Sequence, residues 1–506
     1  MPTVSKRILF VSLLALLGIH VWIYLYFPAS QKGSNWSNTI LHNWREYGYW
    51  HLGGQMVVNP GGLQPGEQPL VYPGHRPYYL VLPYWLKEWP GQAGGNGLFY
   101  YLVMILAIFG GVYRFFGATA RGLLMAFVAC FCPGLILNII AIDPNSFPAV
   151  TGLAVLPFVA ACLVDKSAKV RMIALVLLAL FMLMNWYTLF SLFVLGAYLA
   201  VKYPPQKWKG FVVPLAVAAI VGLLIFVASV SSRHQLGATG QSFWNAYLWG
   251  PAGYDGNGMN FKKALVRISA VNVIAWLPLV VAGCVLWLQG GRAERWRLAP
   301  VPFLAAVFAV FVMRNYNAHH PWQDASIVGL GLLFSIELLA ARPPASRPTA
   351  RSATWAAAAF AMLYCAAWLA LNQFNRREDD VLYTLIAGTT PRHGLIVATD
   401  DLTVDGKLPP KDFSSSVDRK VISAADWKSG NDAARRSDDI FFLTHTDPPA
   451  GSRILGRNES RPGWSDRIIL PLFDFYRTKI ARRAPGDRKV YFTEYWIYQA
   501  PTGTAP

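Results

Sequence analysis

Lys6-Arg7-Ile8-Leu9-Phe10-Val11-Ser12-Leu13-Leu14-Ala15-Leu16-Leu17-Gly18-Ile19-His20-Val21-Trp22-Ile23-Tyr24-Leu25-Tyr26-Phe27 decides the fold class. A helix needs about 20 apolar residues to cross the hydrocarbon core of a bilayer, and Ile8 to Phe27 supplies them without a charge. The run is too long for the core of a signal peptide and has no small-residue cleavage site, so it reads as an anchor. Lys6 and Arg7 keep its start on the cytoplasmic side.

The same grammar repeats along the chain. Apolar runs follow at Leu98–Phe116, Gly122–Ile142, about Phe147–Val164, Phe211–Val230, about Ala264–Leu288, about Ala299–Val312, Ala325–Ala341 and about Thr354–Leu371. Met172–Val201 is basic at both flanks (Arg171, then Lys202, Lys207 and Lys209), which requires an even number of crossings. It is read as two short spans meeting at the polar kink Asn185-Trp186-Tyr187-Thr188, with a re-entrant pair as the alternative. The sum is about eleven crossings in one consistent orientation. Charged residues make up 14% of the 506, against about 25% in a soluble domain. The net charge of +18 comes largely from Lys and Arg in the short links between spans, and no nucleic-acid motif or base-stacking platform accompanies it. All five cysteines lie inside apolar runs and read as small buried hydrophobes. Glu337, near an inner span end, is expected to pair with Arg342.

Two segments stand outside this pattern. Pro28 to about Gly97 is a long outer loop rich in Gly, Pro, Trp and Tyr. Beyond Leu371, Asn372–Pro506 balances acidic and basic residues. Strand-like runs occur there at Leu395–Thr399, Ile440–Thr444 and Lys489–Tyr498, and a helix-like run at about Leu470–Arg483. The expected architecture is an all-α polytopic membrane domain over residues 1–371, including the first outer loop 28–97, followed by a small soluble α/β domain over 372–506 outside the membrane.

Polar residues in costly places mark the chemistry. His42-Asn43-Trp44-Arg45-Glu46-Tyr47-Gly48-Tyr49-Trp50 suits an interfacial helix. Partial desolvation there would make Glu46 a better proton acceptor; pairing with Arg45 or another neighbour is the plainer alternative. His75-Arg76-Pro77-Tyr78-Tyr79 offers cationic donors suited to phosphate, or is simply a Pro-rich turn. Asp143 opens Asp143-Pro144-Asn145-Ser146, either as an N-cap or as part of an outer-face site. Arg233, Lys262, Lys263, Arg267 and Arg314 fall at or near the outer face, where short loops are ordinarily poor in such charge. They either snorkel or serve an anionic ligand such as a lipid-linked phosphate. His319 and His320 are short of the ligand set a metal needs; a divalent metal is the one cofactor left open.

This layout resembles the GT-C superfamily of membrane glycosyltransferases, and within it the bacterial aminoarabinose transferases and protein O-mannosyltransferases. Those families carry an acidic pair early in the first outer loop; here Glu46 stands alone, preceded by Arg45. Their basic-Pro segment followed by aromatics is matched by His75-Arg76-Pro77-Tyr78-Tyr79, and their later span-opening acid by Asp143. The resemblance implies an inverting transfer of a sugar from a polyprenyl-phosphate donor to a glycan, lipid or protein acceptor of the cell envelope. It places the enzyme in a bacterial inner membrane with its C-terminal domain in the periplasm. Glu46 and Asp143 would be the catalytic carboxylates, with Glu46 taking the proton of the acceptor hydroxyl. Arg76, His75, Arg267 and Arg314 would hold the donor phosphate, and Tyr47, Tyr78, Tyr79, His319 and His320 would line the substrate site. The rival readings are an O-antigen polymerase or ligase, whose large loop usually comes late, and a lipid-linked sugar transporter, which would favour the inverted repeats not found here.

Overall fold

The computed structural model describes residues 5–28, 32, 35–63, 67–71, 84, 95–141, 146–164, 166–184, 188–231, 261–289, 321–340, 349–375, 377–399, 417–429, 439–459, 471 and 494–500. The chain divides into two compact units. One comprises Met1–Leu25, Pro73–Trp85 and Gly95–Ala366; the other Tyr26–Tyr72, Leu86–Gly94 and Ala367–Pro506.

The first unit is helical. Its elements are α1 (Lys6–Tyr26), which ends one residue beyond the unit, α3 (Gly95–Phe115), α4 (Ala120–Cys130), α5 (Pro133–Ala141), α6 (Ser146–Cys162), α7 (Ala168–Met184), α8 (Thr188–Lys202), α9 (Lys209–Ser231), α10 (Phe261–Gln289), α11 (Pro321–Ala340) and most of α12 (Thr349–Asn375). Small residues let these helices approach closely. A Cβ on Gly111 of α3 would run into the backbone carbonyl of Ala154 on α6, the kind of contact that packs helices where lipid supplies no hydrophobic drive. The outward faces are apolar: Val213, Ile220 and Leu224 on α9 and Phe10, Val11 and Leu14 on α1 are all exposed. Apolar side chains presented all along a helix to its surroundings fit lipid as the solvent.

Among the described residues, four helices are long and apolar enough to span a bilayer: Lys6–Tyr26, Gly97–Phe115, Leu265–Val285 and Ala356–Gln373. A fifth span follows if α4 and α5, bent by 59° at their break, count as one. Shorter apolar helices occupy Val150–Cys162, Thr188–Lys202, Lys209–Ile225 and Ile327–Leu339. The full count of about eleven is not reached among the described residues; the expected span at 299–312 lies outside them. The expected single span Gly122–Ile142 is a broken pair, because Pro133 cannot donate to the preceding turn and opens a new helix instead. Met172–Val201 does form two helices, α7 and α8, with the kink residues 185–187 outside the described set.

Glu337 pairs across the bundle, and its expected partner Arg342 lies outside the described residues. Its Oε1 accepts from Lys202 Nζ at 3.0 Å and its Oε2 from the Tyr198 hydroxyl at 2.7 Å. The Lys202 ammonium also lies over the rings of Phe115, Tyr198 and Tyr203. A buried carboxylate needs a cation and a second donor, and α8 supplies both within one turn. Cys130, Cys132, Cys162 and Cys365 are buried and free, as a small-hydrophobe role requires, whereas the free Cys284 is exposed on α10.

The second unit is built on a five-stranded sheet in the order β2-β1-β3-β5-β4, with β1 Leu395–Ala398, β2 Lys420–Ser423, β3 Ile440–Thr444, β4 Arg453–Glu459 and β5 Glu494–Gln499. β1 pairs parallel with β2 and β3; β5 runs antiparallel to β3 and β4. Both faces are covered, so the central strands read as unbroken apolar runs. Ile396, Ala398, Phe441, Leu443 and Ile497 pack under Leu385 and Ile386 of α13 (Arg377–Thr389). On the other face Leu395, Val397, Phe442 and Tyr498 pack with Trp427 of α14 (Ala424–Lys428). The helix expected at about Leu470–Arg483 falls almost wholly outside the described residues.

Candidate functional site

The second unit also contains α2 (Asn35–Tyr47) and the segment that follows it. Trp44, read as an interfacial aromatic, is fully buried, and its indole N–H donates to Gln55 O at 2.7 Å. Asn43 is equally buried; its amide donates to Val57 O (2.9 Å) and Asn59 O (3.3 Å). Asn59 in turn donates to Gln68 O at 3.2 Å and accepts from Leu70 N at 2.6 Å. These amides tie residues 55–59 to the helix and residues 68–70 to Asn59 in place of a regular sheet, and both buried amides have their donors and acceptors engaged. Gly48, at φ +86°, ends the helix, and its N–H turns back to Trp44 O at 3.0 Å.

This end of α2 presents Glu46 to an arginine and a histidine from a distant part of the chain. Arg392 and His393 form the turn before β1. Arg392 donates from Nη1 to Glu46 Oε2, from Nη2 to Asn43 Oδ1 at 2.7 Å, and from Nε to Asp418 Oδ2 at 2.7 Å. His393 Nε2 lies 3.2 Å from Glu46 Oε1, so both carboxylate oxygens are engaged. Asp418 closes the cluster with its Oδ2 at 2.5 Å from His42 Nδ1 and its Oδ1 accepting from Gly61 N at 3.2 Å. Burial alone would raise the Asp418 carboxyl, but the hydrogen bond from His42 and the Arg392 charge outweigh it and hold the group at about 2. Asp418 adopts a left-handed backbone, φ +48°, which Asp tolerates better than most residues.

Tyr47 borders the cluster. Its hydroxyl accepts from Leu63 N at 2.8 Å. Burial pushes the phenol up, and the neighbouring Glu46 carboxylate adds to the effect. Gly62, at φ +89°, lies so close that a Cβ there would stand 2.8 Å from the hydroxyl oxygen. An open cavity of about 410 Å³ begins at Tyr47 and is lined further by His51, Leu52, Gln55, Val57 and Leu63.

Of the residues singled out from sequence, Glu46 and Tyr47 are adjacent here, and Glu46 pairs not with Arg45 but with Arg392, 346 residues away. Arg267 is exposed on α10 in the other unit. His75, Arg76, Tyr78, Tyr79, Asp143, Arg314, His319 and His320 lie outside the described residues. Among the described residues, no three His, Cys, Asp or Glu side chains converge to hold a metal. Arg392, His393, His42, Asn43 and Asp418 were not singled out. The one local signal was Pro391-Arg392-His393-Gly394, two basic residues in a turn entering a strand.

The fold has solved counterparts. A crystal structure of ArnT from Cupriavidus metallidurans bound to undecaprenyl phosphate superposes with a TM-score of 0.55 at 14% identity, over 88% of this chain and 96% of that one. ArnT from the same organism in the apo state gives 0.51 at 14% identity, over 90% and 97%. The mycobacterial arabinofuranosyltransferase AftD is also similar, at a TM-score of 0.41 and 15% identity over 78% of this chain and 31% of that one. No family profile and no curated protein matches the sequence. The fold of this chain is thus similar to that of ArnT over most of both chains.

Proposed function

We propose that this protein is an integral membrane glycosyltransferase that moves a sugar from a polyprenyl-phosphate donor to an envelope glycan, lipid or protein acceptor on the periplasmic side. The observation that carries the reading is a fold shared, over nearly the whole chain, with a transferase captured with undecaprenyl phosphate. The Glu46 cluster supports it, because it holds a carboxylate in a fixed orientation next to an open cavity.

In this reading Glu46 is the base. The acceptor hydroxyl replaces His393, whose side chain is 55% exposed, at Oε1, while Arg392 keeps Oε2 in place. Glu46 takes the proton as the acceptor oxygen bonds to the anomeric carbon. The bond from that carbon to the phosphate oxygen breaks, and polyprenyl phosphate leaves with the electron pair, inverting the centre. Charge develops on the phosphate, so cations are required there; Arg76, His75, Arg267 and Arg314 are assigned to it. Asp143 is the second acid, and Tyr78, Tyr79, His319 and His320 line the substrate site with Tyr47.

The test is native mass spectrometry of the full chain in lipid nanodiscs. Undecaprenyl phosphate should be retained in preference to undecaprenol, and Arg76→Ala and Arg267→Ala should each weaken that retention about tenfold, the loss of one charge-assisted hydrogen bond. Equal retention of the alcohol and the phosphate would overturn the donor assignment.

A further inference from the structure

We infer that the cavity beside Tyr47 is a subsite for an uncharged saccharide ring of the acceptor. The inference rests on the transferase reading and adds the chemical class that its acceptor presents.

Three observations support this. The first is size. At roughly 30 Å³ per water-sized group, about 410 Å³ has room for one glycoside ring of about a dozen heavy atoms. The second is the character of the wall. Leu52, Val57 and Leu63 are apolar, Tyr47 is aromatic, and His51 and Gln55 carry donors and acceptors. A sugar ring has the matching division, with C–H groups on its face and hydroxyls at its rim. Among the described residues the wall carries no Lys, Arg, Asp or Glu, and a phosphate or carboxylate ligand would ordinarily be met by fixed cationic charge. The third is connectivity. Tyr47 lines the cavity and directly follows Glu46 at the end of α2. A ring seated there therefore places a hydroxyl near the proposed base, whereas the donor's phosphate meets no counter-charge among the described residues of this cavity. The wall is also firmly set, since Tyr47 is fixed by Leu63 N and the backbone of Gln55 by the Trp44 indole.

The experiment is saturation-transfer NMR on the full chain in nanodiscs, with methyl glycosides of glucose, galactose, mannose and arabinose as probes. At least one should receive saturation. Leu52→Trp, which fills the cavity, should abolish the signal. Gln55→Ala, which removes a polar contact and tests the same point should Leu52→Trp fail to fold, should raise Kd about fivefold. No transfer to any glycoside, or transfer unchanged in both variants, would overturn the subsite. Displacement of the glycoside by millimolar inorganic phosphate would overturn its uncharged character. Glycoside binding in a chain that transfers no sugar from any polyprenyl-phosphate donor would retire the enzyme reading and leave the subsite standing.

Discussion

Arg392 reaches Glu46, Asn43 and Asp418 at once, a fork that a lysine ammonium cannot reproduce. Arg392→Lys is therefore expected to destabilise the second unit by about 2 kcal/mol and to loosen Glu46, which thermal unfolding in nanodiscs would detect; an unchanged midpoint would count against this geometry. Asp418 makes the cluster sensitive to acid. Its folded pKa of about 2 lies below the ordinary 3.8. Its contribution of roughly 2 kcal/mol is thus fully present above pH 3.8 and is lost as pH falls toward 2. Asp418→Asn should lower stability at neutral pH and flatten unfolding between pH 4 and 2; an acid limb identical to wild type would refute the linkage. Glu46 was legible in the sequence because a carboxylate among interfacial aromatics is unusual within a short window. Its partners were not, because 346 and 376 residues separate the two sides of the cluster and local patterns carry no information on such pairings.

At the scale of elements, hydrophobic period and length identified most helices, since an apolar run of about 20 residues has few alternatives. They did not locate the break between α4 and α5, where one continuous apolar run is bent at Pro133. In the sheet, β1, β3 and β5 were recognisable as apolar runs buried on both faces. β2 and β4 were missed because β2 is only four residues long and β4 is a polar edge strand, Arg453–Glu459, bulged between Ile454 and Gly456. The Glu337–Lys202 pair gives a prediction on the helix pair α8 and α11. Removing one partner leaves a charge uncompensated, so Glu337→Leu should cost about 3 kcal/mol or more. Glu337→Leu with Lys202→Met should cost much less, and a double-mutant cycle in denaturant would decide it; additive losses would contradict the coupling.

For the whole molecule, the most consequential feature is that α2 and the residues after it fold together with the C-terminal sheet in one compact unit. From composition alone the two segments read as a loop of the membrane part and a separate domain. The proposed base therefore owes its orientation to Arg392 and, through it, to Asp418 near β2, and the C-terminal segment becomes part of the catalytic apparatus in this account, not an appendage. Mass spectrometry of envelope glycans, lipids and surface proteins from cells with the gene, without it, and with Glu46→Gln in its place tests this most directly. The account predicts that one sugar disappears from one class of acceptor in both altered strains, while the Glu46→Gln protein accumulates in the membrane at wild-type level. An unaltered glycan profile in folded Glu46→Gln, with the sugar missing only when the gene is absent, would contradict Glu46 as the base, and no change in either strain would contradict the transferase itself.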